Sequence, residues 1–276
     1  MEMFQYDFMQ RAFLAAICIA CIAPILGLLL ILRKQSLLAD TLSHVSLSGV
    51  ALGLLIGVSP TVTTIVVVMI AALIMEYLSR VYKSYSEISV AILMSTGLAV
   101  ALILMSLRKN AAGIKVEQYL FGSLVTVSSE QVSILIGLVI FIGGLYILFR
   151  KPLYVLLFDE DTAFTAGLPV RLMSLLINIV TGVTISVMMP IAGALLVASI
   201  LILPTAISMR FSNSFTSVIL WAMCIGFLGM VGGLYASYEY STPPGATITL
   251  IFVTVLVFVN VIIFVKKWYQ QQKAKV

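Results

Sequence analysis

Charged residues are scarce in this chain. Only 10% of its 276 residues are Asp, Glu, Lys or Arg, whereas 62% are hydrophobic and the mean hydropathy is +1.17. Because a soluble domain carries about 25% charged residues, this composition excludes a water-soluble globular protein. The apolar residues instead lie in continuous runs of roughly 20, the length that a membrane-spanning helix needs.

Several motifs of nucleotide binding and hydrolytic catalysis are missing from the sequence. It contains no Gly-x-x-x-x-Gly-Lys-Ser/Thr phosphate loop, so the chain does not hydrolyse nucleotide with that machinery. It also contains no Gly-x-Ser-x-Gly and no His-Glu-x-x-His, which mark serine hydrolases and zinc proteases. These absences favour a chain that transports or anchors something over an enzyme.

Cysteine and histidine are rare, with three and one in the whole chain. Cys18 and Cys21 have the spacing of half a zinc site, but they lie inside an apolar run and no second pair follows. We therefore expect thiols that pack among apolar side chains, and no permanently bound cofactor.

The apolar runs predict an all-α integral membrane protein, a polytopic bundle of about eight to nine transmembrane helices in a single domain, 1–276. Helices are expected because backbone polar groups in lipid must be paired within the segment, and the runs lack the alternation of a barrel. The first run is long enough to span and follows Glu2, Asp7 and Arg11, so we expect a retained helix rather than a cleaved signal peptide. The segment 110–130 is too polar to span and is predicted to be a surface or re-entrant element. The predicted spans are 12–32, 42–58, 61–79, 88–107, 131–149, 172–189, 192–209, 215–237 and 246–265.

Basic residues predict the orientation, because they favour the cytoplasmic ends of membrane helices. With nine spans and a cytoplasmic C-terminus, twelve of the sixteen Lys and Arg residues lie on the cytoplasmic side, and the other four are Arg11, Arg108, Lys109 and Lys115. The sequence therefore predicts an extracellular N-terminus and a cytoplasmic C-terminus. We interpret the net charge of +5 as a topology signal and not as a nucleic-acid-binding surface.

The most informative polar stretch contains Asp40 and His44, the only histidine. Residues four apart lie on one helix face, and a carboxylate with an imidazole suits zinc and tolerates manganese or iron. Ser43, Ser46 and Ser48 extend this into a predicted polar track. The alternative is that Asp40 caps a helix and His44 hydrogen-bonds to a neighbouring helix, with no ligand involved.

A second informative stretch, 158–169, predicts a short, capped helix on the cytoplasmic face. Acidic residues begin it, small residues follow, and Gly-Leu-Pro ends it, which is typical of a helix that stops abruptly. The alternative is an ordinary solvated connector, but a docking surface for a soluble partner explains a marked helix better. The candidate docking residues are Asp159, Glu160, Asp161, Phe164, Gly167 and Leu168.

Glycine and proline residues predict helix breaks at 189–194, at Pro204 and at 242–246. In a membrane, the backbone groups that such a break frees must be satisfied by protein or by a water-filled cavity. Such breaks are common in transporters. Glu76 and Arg80 are four apart near a helix end, and we interpret them as a structural pair.

At these positions the sequence resembles the permease subunits of bacterial zinc/manganese ABC importers, over nearly the whole chain. Residues 32–50 are similar to the family's Arg-Arg-x-x-(small)-x-x-x-Asp-x-Leu-Ser/Ala-His signature, with Arg33-Lys34 in place of the usual Arg-Arg. Residues 190–210 resemble its Pro-x-Gly-x-Leu-Leu…Leu-Pro helix pair, and 243–247 also fit. An extra acidic residue stands at 159–161, where the family often has proline.

The resemblance implies a homodimeric permease embedded in the lipid of a bacterial plasma membrane, two ABC ATPase subunits on the cytoplasmic side and an extracellular metal-binding protein. Asp40 and His44 match positions of the family's metal pathway, and 158–168 match its coupling helix. The transported substrate is then Zn²⁺ or Mn²⁺, and Asp-Thr-Leu-Ser-His is more similar to the zinc members. The alternatives are a manganese or iron importer of the same type, a gradient-driven secondary transporter and a non-transporting scaffold.

Overall fold

The computed structural model describes residues 6–82, 86–107, 122, 124 and 127–273. Within them every long element is an α-helix, and no strand occurs. In chain order the helices are α1 (Asp7–Leu32), α2 (Leu38–Ile56), α3 (Pro60–Val81), α4 (Ser86–Leu107), α5 (Ser129–Phe158), α6 (Glu160–Thr165), α7 (Val170–Ala192), α8 (Ala194–Ser208), α9 (Phe215–Tyr240) and α10 (Pro244–Lys273).

The described helices confirm the predicted all-α membrane bundle. Eight of them are long and apolar enough to cross a bilayer, namely all except α6 and α8. Helix α8 has 15 residues, which corresponds to about 22 Å at 1.5 Å per residue. It occupies the predicted span 192–209 but is shorter than a hydrocarbon core of roughly 30 Å.

Helix α2 lies inside the bundle, with most of its side chains buried. It packs mainly on α3 and α4, and also on α7 and α8. The contact with α3 is a close approach of two backbones, because a Cβ on Gly49 would lie 2.5 Å from the Cα of Thr64. Any larger residue at this position would push α2 away from α3, so the glycine determines how α2 is placed.

The predicted break at 189–194 falls at Gly193, between α7 and α8, whereas Pro190 lies within α7. Gly193 has φ 84° and ψ 152°, a conformation that is essentially restricted to glycine. The backbone of Gly122 packs directly against it, since a Cβ on Gly122 would overlap the Ala192–Gly193 peptide. The break is thus covered by a chain segment distant in sequence.

The predicted surface or re-entrant element at 110–130 lies mostly outside the described residues. Of those described, Gly122 contacts the break at Gly193, and Leu124 is buried, with 1% of its surface exposed. This part of the segment therefore packs into the bundle. The basic residues Arg108, Lys109 and Lys115 lie outside the described residues.

Candidate metal site and docking segment

Asp40 and His44 both lie in the first half of α2 and on one face of it. The helix begins after Leu37, which makes no side-chain cap, so Asp40 sits in the first turn rather than at the cap. A carboxylate is favoured there because the unpaired N–H groups of a helix N-terminus carry partial positive charge. The alternative in which Asp40 caps the helix is therefore not what the structure has.

The two side chains face each other without forming a tight ion pair. Asp40 Oδ1 lies 3.6 Å from His44 Nε2, and the side chains are 44% and 23% exposed. This distance is longer than a normal hydrogen bond. His44 Nδ1 is buried and has no hydrogen-bond partner among the described residues, so the imidazole is not held by a neighbouring helix through that atom.

The Asp40–His44 pair opens into a cavity of about 490 Å³ between α2 and α8. The wall opposite the pair comes from α8 and is apolar except for the hydroxyl of Ser199. The lining residues from α8 are Ala194, Leu195, Ala198, Ser199, Ile202 and Leu203. A carboxylate and an imidazole, both possible metal ligands, thus border an otherwise largely apolar cavity.

Ser199 is a polar residue of this cavity that the sequence interpretation did not single out. Its Oγ lies 2.9 Å from Thr249 Oγ1, which links α8 to α10, and it also donates to the carbonyl of Leu196. Nothing in its local sequence distinguishes it from other serines of apolar helices. Only the packing of α8 against α2 identifies it.

The predicted polar track along α2 is wrong in one respect. Ser43, Ser46 and Ser48 are buried, and each hydroxyl donates to a carbonyl of its own helix. This back-bonding satisfies serine hydroxyls in helices at little cost. These serines therefore pack α2 against its neighbours and do not line the cavity.

The described part of one chain offers too few ligands for a complete metal shell. Among the described residues, no group of three or more His, Cys, Asp and Glu side chains lies close enough together to hold a metal ion. A tetrahedral zinc ion takes four ligands. The Asp40–His44 pair alone thus contains two possible ligands, fewer than such a shell needs.

A second polar group, which we call the Glu76 cluster, joins three helices near the end of α1. It consists of Arg33, Glu76, Arg80, Ser174 and Asn178. The predicted pair is confirmed, with Arg80 Nη2 3.0 Å from Glu76 Oε1. The remainder was not predicted, because sequence spacing cannot indicate that α7 places Ser174 and Asn178 beside Glu76.

The predicted short helix within 158–168 is confirmed as α6, and we call these residues the docking segment after their predicted role. The Asp159 carboxylate caps it by accepting from the backbone N–H groups of Asp161 and Thr162. The hydroxyl of Thr162 also donates to this carboxylate, and these bonds hold the pKa of Asp159 below its ordinary value. Gly167, at φ 77°, ends the segment.

The docking segment presents an exposed aromatic ring. Phe164 is 73% exposed, whereas the neighbouring Ala163 is fully buried and anchors the helix. Leu168 packs partly against the core. Beside Phe164 lies an open hollow of about 640 Å³, which Asp161, Leu168 and Arg171 also line.

Comparisons with known proteins identify the family of the chain. The sequence profile of the ABC 3 transport family matches residues 5–264. The chain is 29% identical to the high-affinity zinc uptake system membrane protein ZnuB of Haemophilus influenzae, over 89% of this chain and 94% of that protein. It is 27% identical to the manganese transport system membrane protein MntC of Halalkalibacterium halodurans, over 92% of this chain and 87% of that one.

The fold also matches that of a solved structure. The structure of PsaBC from Streptococcus pneumoniae in complex with Fab superposes with a TM-score of 0.82 at 28% identity, covering 93% of this chain and 92% of that chain. The family match extends over most of the chain, including the helices of the bundle, the docking segment and the Asp40–His44 pair. The protein therefore belongs to the ABC 3 transport family and is a membrane permease subunit rather than an enzyme.

Proposed function

We propose that the chain is the permease of an ATP-driven importer that takes up a divalent transition-metal ion, with zinc as the cargo. The observation that carries this proposal is the Asp40–His44 pair, whose donor atoms face an apolar cavity between α2 and α8. Ionisable side chains within a membrane bundle are costly and mark ion pathways. Here they are also the two residue types that bind borderline metal ions.

Zinc is favoured over manganese by the ligands and by the sequence around them. Imidazole nitrogen suits zinc, whereas manganese prefers oxygen ligands. The stretch Asp-Thr-Leu-Ser-His at 40–44 is similar to the zinc members of the family. A manganese importer is the second candidate, because relatives named for both metals match this chain over similar lengths.

A second copy of the chain completes the ligand shell in this proposal. Twofold symmetry brings the same surface from each copy together, so two Asp40–His44 pairs supply four ligands. Such a site must stay weak, because a closed structural zinc site would hold the ion too tightly for release. The complex would then bind one zinc ion for every two permease chains.

We expect a different partner protein at each end of the bundle. The docking segment offers an exposed phenylalanine beside acidic residues, which suits an ATPase subunit with an apolar pocket and a basic rim. An extracellular binding protein would deliver zinc to the opposite face. A gradient-driven carrier, in contrast, would transport without nucleotide.

The test is zinc uptake per assembled complex in cells that lack the native chain. Asp40→Asn keeps the side-chain shape but removes the charge, and His44→Ala removes the nitrogen ligand. Each should lower zinc uptake at least about tenfold, the loss expected when one metal ligand or its support is removed. Glu87→Gln is the matched control, because Glu87 is an exposed carboxylate in the first turn of α4.

The amount of permease and its association with the ATPase are measured in the same membranes. Wild-type uptake per complex in both variants would show that Asp40 and His44 are not the metal path. Uptake of manganese in preference to zinc by the wild type would establish the second candidate.

A further inference from the structure

The Glu76 cluster contains a buried carboxylate that the proposed transport path does not use. The Glu76 side chain is only 12% exposed. Its Oε1 accepts from Arg80, and its Oε2 accepts from Ser174 Oγ at 2.9 Å and Asn178 Nδ2 at 3.0 Å. The carboxylate thus joins α3 to α7.

Arg33, at the end of α1, binds the same two side chains from the other side. Its guanidinium donates to Asn178 Oδ1 at 3.3 Å, and to both the hydroxyl and the carbonyl of Ser174. Each of the two α7 side chains therefore donates to Glu76 and accepts from Arg33. The Glu76 carboxylate thus accepts directly from Arg80, and Ser174 and Asn178 link it to Arg33.

The cluster lies between the docking segment and the helix that carries the candidate metal ligands. Helix α7 begins at Val170, directly after the docking segment, and Ser174 lies about one turn into it. On the other side, Arg33 caps α1, and α2 begins only five residues later at Leu38. A displacement of α7 would therefore pull on the connection from which α2 starts.

Stability alone is a weak reason for this arrangement. Burying a charged group costs several kcal/mol, and apolar replacements of buried ion pairs are often neutral or stabilising. A network of charged hydrogen bonds instead defines one discrete arrangement of the helices that it joins. Coupling between distant sites needs such discrete arrangements.

We propose that the Glu76 cluster couples the docking segment to α2, so that Glu76, Ser174 and Asn178 are positioning residues for ATP-driven transport. This inference rests on the proposed function. When the ATPase moves α6, α7 carries Ser174 and Asn178 with it, and the shared bonds to Arg33 and Glu76 shift α1, α3 and the start of α2 together. The network then links ATP hydrolysis to the opening of the cavity at Asp40 and His44.

The test measures zinc ions moved per ATP hydrolysed, in proteoliposomes that contain the permease with its ATPase. Zinc and the binding protein are supplied on one side and ATP on the other. Glu76→Gln keeps the shape but removes the charge, whereas Ser174→Ala removes one hydroxyl with little risk to folding. Both should lower this ratio, Glu76→Gln by between about 5-fold and 100-fold, which is the usual range of coupling between sites.

Ser208→Ala is the matched control, because the buried Ser208 hydroxyl also joins two helices, by donating to the carbonyl of Val218. It should leave the ratio unchanged. If Glu76→Gln and Ser174→Ala lower transport and ATP hydrolysis equally, in proportion to assembled complex, the cluster is structural and the inference is wrong. If wild-type vesicles move no zinc at all, the proposed function fails instead, which is a distinguishable result.

Discussion

At the residue scale, Phe164 is where the docking of an ATPase can be tested with one substitution. Its ring is 73% exposed on a six-residue helix, and exposed aromatic side chains are typical anchors of protein interfaces. Phe164→Asp should abolish co-purification of the ATPase, because a buried charge would replace the anchor. Membrane insertion should be unaffected, since most of the Phe164 side chain is exposed.

Tyr240→Asp is the matched control for that experiment. Tyr240 is 76% exposed and ends α9, at the opposite end of the bundle. It should leave the yield of the complex unchanged. A normal ATPase yield from Phe164→Asp would contradict the assignment of 158–168 as the docking segment.

Some residues of the candidate metal site and of the Glu76 cluster could be predicted from the sequence, and others could not. Asp40 and His44 were found because their spacing alone places them on one helix face. Ser199 and the α7 members of the Glu76 cluster were not found, because they are ordinary polar residues of apolar helices. Their roles depend on which helices are neighbours, and periodicity carries no information on that.

At the element scale, Gly193 makes the break between α7 and α8 possible. Its φ of 84° and ψ of 152° are essentially restricted to glycine. The backbone of Gly122 also packs against Gly193. Gly193→Asn should therefore destabilise the solubilised protein by about 1–3 kcal/mol, or more where the added side chain meets the segment at 122. The measurement is the midpoint of thermal unfolding in detergent.

Gly57→Asn provides the control, because Gly57 has φ 74° and ψ 21°, with nothing near its missing side chain. Asparagine adopts this left-handed conformation at low cost. The unfolding midpoint of this variant should stay close to that of the wild type. Equal midpoints for the two variants would show that the backbone at Gly193 is not strained by a side chain.

Element boundaries were predicted less well than element existence, for an identifiable reason. Hydropathy placed the fifth span at 131–149, but α5 runs from Ser129 to Phe158. A capping box of Ser128 and Gln131 fixes its start, and the helix continues through Arg150, Lys151 and Pro152. Charged residues end an apolar run without ending a helix, so hydropathy marks the membrane and not the helix.

At the scale of the whole molecule, the question is which face each connection occupies. The answer depends on whether helix α8 crosses the membrane, because its length of about 22 Å is short for a crossing. It nevertheless leads from the end of α7 back towards the last turns of α1. Ala194 follows the end of α7, whereas Leu201 packs on Gly27, near the end of α1. That end of α1 lies beside the start of α7, through the bonds of Arg33 to Ser174.

We therefore predict nine crossings and opposite faces for the two ends of the chain. The prediction is tested with single cysteines and an impermeant thiol reagent, in a background where Cys18, Cys21 and Cys224 are replaced. Cysteines at the exposed positions Asp7 and Ser59 should be labelled in intact cells. Those at the exposed positions Asn213 and Gln272 should be labelled only after permeabilisation.

The last two positions separate the alternatives, because they respond together to the path of α8. If α8 turned back without crossing, α9 and α10 would both be inverted, and Asn213 and Gln272 would be labelled in intact cells. Arg210, Lys266, Lys267 and Lys273 would then lie outside, against the preference of basic residues for the cytoplasmic side. Labelling of both positions without permeabilisation would overturn the nine-crossing topology. Protection of both would place the C-terminal end of α10 on the face where the docking segment meets the ATPase.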